Sequence, residues 1–123
     1  MANIDRMTTS EKIKPFVNLN DGSYYYNYDV REEGVVKHFD DENESPVYSF
    51  IQIRCWGKPN YKDCVKNIIR KYITQEEEFD LINSANSIIL SGNIDDNNID
   101  ILKYKDYLRL VKEIKANVKK DFK

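Results

Sequence analysis

Reactive side chains are sparse in this chain. Cys55 or Cys64 with His38 is the only pairing that could make an activated thiol, which needs an imidazole within hydrogen-bond reach. A strand reading sets His38 opposite Tyr48 across a hairpin, seven residues short of Cys55. That is a separation of roughly 23 Å at ~3.3 Å per residue. Cys64 falls on the apolar stripe of a helix, where a thiol acts as a small hydrophobe. Two Cys nine apart and one His cannot supply the four ligands of a structural zinc. Asp95-Asp96-Asn97-Asn98-Ile99-Asp100 opens with calcium-loop spacing, but Ile99 replaces an oxygen ligand, Asp100 stands where the turn glycine belongs, and Asp106 takes the place of the bidentate Glu. Asp40–Glu44 follows no ligand spacing and reads as a solvated loop. The expectation is no catalytic residue, no metal, no cofactor and no enzyme activity, with both cysteines in the core as thiols.

The cations are more organised. Residues 103–123 hold eight of them (Lys103, Lys105, Arg109, Lys112, Lys115, Lys119, Lys120, Lys123) against three anions, a net of +5, so the rest of the chain carries −7. Lys105, Arg109, Lys112, Lys119 and Lys123 share one helix flank, and Lys62, Lys66 and Arg70 repeat at i, i+4, i+8 on another helix. Such stripes suit phosphates or an acidic partner surface, although base-stacking aromatics are not interleaved with them. Tyr24, Tyr25, Tyr26, Tyr28, Tyr48 and Trp56 form a second cluster, candidates for partner binding because flat amphipathic rings bury large area with little rotamer loss. One face of that cluster must also be core.

The elements that position these residues change character midway. Asn20-Asp21-Gly22-Ser23 is a hairpin signal after Phe16–Leu19, and Tyr24–Val30 alternates with Tyr24, Tyr26, Tyr28 and Val30 on one face. Glu32-Glu33-Gly34 reads as a second turn, Val35–Phe39 as a short strand, and Val47–Trp56 as a central strand. From Asn60 the period becomes helical, with Tyr61, Cys64, Val65, Ile68, Ile69 and Tyr72 on one side. Thr74-Gln75-Glu76-Glu77 is a capping box that starts a second helix, carrying Phe79, Leu81, Ile82, Ala85, Ile88 and Ile89 and stopped by Gly92. A third helix carries Ile101, Tyr104, Leu108, Val111, Ile114 and Val118. The expected architecture is α+β: a four-stranded antiparallel meander within 15–56, then three α-helices within 60–121 packed on one sheet face. Residues 1–14 are read as an N-terminal arm and 15–123 as a single domain. Ile68, Ile69, Phe79, Ile82, Leu108 and Val111 are expected against the Val47–Cys55 strand.

With 123 residues the chain has room for one domain, and 41% hydrophobic against 33% charged residues describes a folded chain with a modest core. A net charge of −2 provides no global field toward nucleic acid or membrane. No apolar run approaches the ~20 residues of a membrane span, and Met1–Ser10 lacks the apolar centre of a signal peptide. The expectation is therefore synthesis in the cytoplasm without export, and no membrane partner.

The stretch from Lys58 to Ser84, with the run Ile69-Arg70-Lys71-Tyr72-Ile73-Thr74-Gln75-Glu76-Glu77 at its centre, and the later Tyr104–Lys115 segment resemble small proteins of tailed phages and prophages. In those, a short β region precedes a two-helix junction and a final Tyr- and Lys-bearing helix. The resemblance covers residues 58–120 and implies a virion-associated structural or assembly protein, made in the host cytoplasm, whose partners are itself or other virion proteins. The alternative is a nucleic-acid-binding accessory protein that uses the Lys62, Lys66, Arg70 and Lys105, Arg109, Lys112 stripes.

Overall fold

The computed structural model describes residues 6–37, 44–92 and 97–122. Four antiparallel strands are followed by three helices. Asp21-Gly22 turns the chain between β2 (Phe16–Asn18) and β3 (Ser23–Lys37). The Asn18 amide oxygen and the Asp21 carboxylate accept from the N–H groups of Asn20 (2.8 Å) and Ser23 (3.0 Å), which fixes the turn locally. β4 (Glu44–Trp56) runs back along β3 from Lys37↔Glu44 to Ser23↔Trp56. Side chains directly opposite share a face, so Tyr24, Tyr26 and Tyr28 stand beside Cys55, Ile53 and Ile51, and all six are buried.

Two features depart from the sequence reading. Glu32-Glu33-Gly34 does not turn the chain: β3 continues to Lys37, and the register slips between Tyr28 and Arg31 and again between Glu32 and Gly34. These are β-bulges, with Asp29 (φ 53°) and Gly34 (φ 119°) taking left-handed backbone. Glycine is a turn signal because it tolerates positive φ, and a bulge needs the same tolerance. The first slip also breaks the alternation, leaving Val30 exposed instead of beside Tyr28. The second departure is that the arm supplies the fourth strand. β1 (Met7–Thr9) pairs with β4 at Met7↔Phe50, giving the order β1-β4-β3-β2. β2, β3 and β4 form the meander, and residues 10–15 pass from one sheet edge to the other. Their path is pinned at Asn27, whose Nδ2 donates to the Lys14 carbonyl (2.9 Å) and whose N–H donates to the Pro15 carbonyl (2.7 Å). Gln52 Nε2 donates to Asn27 Oδ1 at 3.0 Å on the same face, and Phe50 is buried there.

The helices start where the caps specify. α1 (Tyr61–Tyr72) is capped by Asn60, whose Oδ1 accepts from the N–H groups of Lys62 (2.9 Å) and Asp63 (3.3 Å). α2 (Gln75–Ser91) begins at Thr74, whose Oγ1 accepts from Glu77 N–H at 3.1 Å and donates to the Glu77 carboxylate at 2.9 Å. Gly92 ends it at φ 75°. α3 (Ile99–Asp121) is capped by Asn98. α1 lies over β4 and α3 over β3, while α2 packs against α3. Cys64, Val65, Ile68 and Ile69 from α1, with Tyr107, Ile114 and Val118 from α3, close the core on the sheet.

Because α2 rests chiefly on one neighbour, its wide apolar arc is only partly covered. Ala85 is buried, but Phe79 is 67% and Leu90 87% exposed, so Phe79 is not a sheet-packing residue. On α3 Leu108 is 47% exposed and Tyr107 is buried in its stead. Tyr107 lies 100° further round the helix and its hydroxyl reaches Glu78, a link that fixes which side of α3 turns inward.

Candidate functional site

The two thiols do meet, at the junction of sheet and α1. Tyr24 and Cys55 are cross-strand partners, the Tyr24 hydroxyl lies 3.5 Å from Cys64 Sγ, and Asn67 Nδ2 donates to Cys55 Sγ at 3.4 Å. Both cysteines are buried and free. Burial pushes the Cys64 thiol up to about 11, the wrong direction for a nucleophile. His38, Asp40–Asn43 and the Asp95-Asp96 pair lie outside the described residues. Among the described residues no group of three His, Cys, Asp or Glu is placed to hold a metal ion.

The aromatic cluster divides. Tyr24, Tyr26 and Tyr28, read as partner-binding, belong to the core and present no ring to solvent. Their hydroxyls explain why tyrosine is tolerated there: Tyr26 donates to Asp121 Oδ2 at 2.6 Å, and Tyr28 accepts from Asn117 Nδ2 at 3.1 Å. Tyr25, Tyr48 and Trp56 face the other side of the sheet. Tyr25 is the cross-strand partner of Arg54, and the Arg54 guanidinium lies 4.8 Å from the ring centroid of Trp56, which is 65% exposed. Arg54 is held in turn by Asp21 at 2.6 Å; the Ser23 hydrogen bond and then Arg54 keep that carboxyl below its ordinary value. Tyr48 sits eight residues from Trp56 on β4, ~26 Å away, so the outer aromatics do not form one patch.

The helix stripes converge in part. Lys62 and Lys66 of α1 and Lys115 of α3 line a groove of about 400 Å³ together with Tyr61, the buried Val65 and Ile69, and the Arg70 and Glu78 side chains. Lys112 and Lys119 flank Lys115 at i−3 and i+4, extending the positive strip along α3. Lys62, Lys66 and Lys115 form no ion pair among the described residues. Arg70, read as the third member of the α1 stripe, lines the same groove but is ion-paired: its guanidinium meets Glu78 Oε1 at 2.8 Å, and the other Glu78 oxygen accepts from Tyr107 Oη. Arg70 and the tyrosine hydroxyl hold the Glu78 carboxyl below the ordinary carboxylate range, and burial with that same bond pushes Tyr107 up. This triad ties α1, α2 and α3 at one point. Arg109 pairs at 3.5 Å with Asp106 in the exposed reach of α3, with Lys105 on the same flank.

On the far side of α2 the sign reverses. Glu77, Asp80, Asp100 and Asp106, with Lys103, line a second groove of about 390 Å³ over Ile73 and Leu81. α2 has four carboxylates near its start and neither Lys nor Arg along its length. The sequence reading missed Lys115 as a partner of the α1 lysines and Phe79 and Leu90 as surface residues. The first could be found only from helix crossing; the second carried the signal that α2 is apolar on more sides than one neighbour can cover.

Comparison with family models, with curated proteins and with solved structures finds no match. None of the described helices is long and apolar enough to cross a membrane.

Proposed function

We propose that this chain is a non-enzymatic structural or assembly protein that acts through protein contacts, in the virion of a tailed phage as the resemblance of residues 58–120 implies. The observation that carries the reading is the outer surface of α2, where Phe79 and Leu90 stand 67% and 87% exposed on one side of a helix whose first half borders a basic groove at Glu78 and an acidic groove at Glu77 and Asp80. Apolar anchors ringed by charge of both signs are the composition of a protein interface, with the anchors supplying affinity and the charges orientation. Reactive chemistry has no comparable foothold: the thiols are buried and the helix-junction carboxylate is neutralised by Arg70.

The nucleic-acid reading has one observation in its favour, the unpaired Lys62, Lys66 and Lys115 beside Tyr61. Titrating the protein with labelled oligonucleotide between about 50 and about 200 mM salt separates the two, because each phosphate neutralised steepens the salt dependence by about one power. Cross-linking in the native cell or particle is expected to join α2 or α3 to a polypeptide. Tight oligonucleotide binding with a slope of about −3 that falls when the three lysines are removed, and no polypeptide cross-link, would overturn the protein-contact reading.

A further inference from the structure

The geometry points to a second copy of this chain as the occupant of the basic groove, with Phe79 of one copy seated on the Val65 and Ile69 floor of the next. This deepens the protein-contact reading and rests on it.

Each chain carries both halves of the contact. On α2, Glu76 and Asp80 stand beside Phe79 and form no ion pair among the described residues; Glu77 and Glu78 are turned to Thr74 and Arg70. The exposed start of the helix therefore carries an aromatic ring with two unmatched carboxylates to one side of it, Asp80 at the edge of the acidic groove. The groove presents the complement, a space of about 400 Å³ over Val65 and Ile69 lined by three unmatched ammonium groups and by the mutually paired Arg70 and Glu78. A benzyl side chain fits that space, and Glu76 and Asp80 would fall within reach of the lysine rim. Leu90 lies eleven residues from Phe79, three helical turns or ~16.5 Å along the same exposed side of α2.

A phosphate backbone is the poorer occupant. It would satisfy Lys62, Lys66 and Lys115 but would leave Phe79 and Leu90 in water and meet repulsion from the acidic start of α2. A copy of the chain covers all of these groups together. One knob and one groove per molecule permit either a reciprocal pair or a head-to-tail series, which the mass distribution distinguishes.

The test is sedimentation of the purified full chain at high micromolar concentration with charge-swapped variants. Wild type is expected to self-associate, and Phe79→Ser to weaken that by about tenfold or more. Because Phe79 is exposed, the thermal transition of F79S should match wild type, which separates lost contact from lost fold. The double variants Lys62→Glu/Lys66→Glu and Glu76→Lys/Asp80→Lys should each be monomeric alone and should associate when mixed. A monomeric wild type, or an oligomer indifferent to all three variants, would overturn the proposal. If the monomer still cross-links through α2 to a different polypeptide, self-docking fails while the protein-contact reading stands. If only oligonucleotide occupies the groove, both fail.

Discussion

Replacing Glu78 by Gln removes the single negative charge shared by α1 and α3. The carboxylate accepts from Arg70 at 2.8 Å and from the Tyr107 hydroxyl, with the Arg70 and Glu78 side chains 30% and 18% exposed. Hydrogen bonds to charged groups contribute about 1.5–3 kcal/mol when shielded from water. The amide keeps one accepting oxygen and the site is partly wet, so the expected loss is about 1–2 kcal/mol. For a domain of this size that lowers Tm by about 3–8 °C. The pH dependence gives a sharper readout. The folded carboxyl titrates below its ordinary value of 4.5, so its contribution is present above that value and is lost as the pH falls through the folded pKa. Urea unfolding followed by circular dichroism should show wild type more stable than E78Q at neutral pH, with the gap closing in strongly acidic buffer. A Tyr107→Phe cycle should return a coupling of about 0.5–2 kcal/mol. No gap at neutral pH, or one that persists unchanged into acid, would refute the charge-sharing account.

Ile114→Ala, at a fully buried site over the sheet, should cost about 2–5 kcal/mol, whereas Leu108→Ala, half exposed, should cost under about 1 kcal/mol; equal losses by denaturant titration would mean α3 is rotated from the orientation described. Asp121 has the opposite sign to Glu78, because burial raises its carboxyl above 3.8 despite the Tyr26 bond that lowers it. Its contribution is present below the ordinary value and is lost as the pH rises through the raised one, so Asp121→Asn should equal or exceed wild-type stability at neutral pH and lose that part of the acid-side gain. A large loss in D121N at neutral pH would contradict this.

Much of the helical half was legible because helices announce themselves locally. Asn60, Thr74 and Gly92 act through the backbone of their own turns, and the structure places helix ends at each. The strand half depends on partners distant in sequence. Met7–Thr9 has no alternation to read and is a strand only because β4 offers an open edge. Gly34 looks the same in a turn and in a bulge. On β3 the alternation of tyrosines identified two faces but not which one the helices cover, so buried and exposed rings were grouped together. Periodicity likewise marks apolar residues on α2 without revealing that the helix has one main neighbour, and this hid the exposure of Phe79.

The crossing segment between β1 and β2 joins places that the sheet itself keeps apart. One short stretch of chain seals β4 along one margin and β3 along the other, with its β2 end fastened at Asn27 through Lys14 and Pro15. That fastening stops slack released at β1 from reaching β2, so the two margins can open as separate units with separate opening free energies. In hydrogen-exchange terms, amides of β1 paired to Tyr48–Phe50 are expected to exchange more readily than amides of β2 paired to Tyr24–Tyr26, which lie beside the Asn27 anchor.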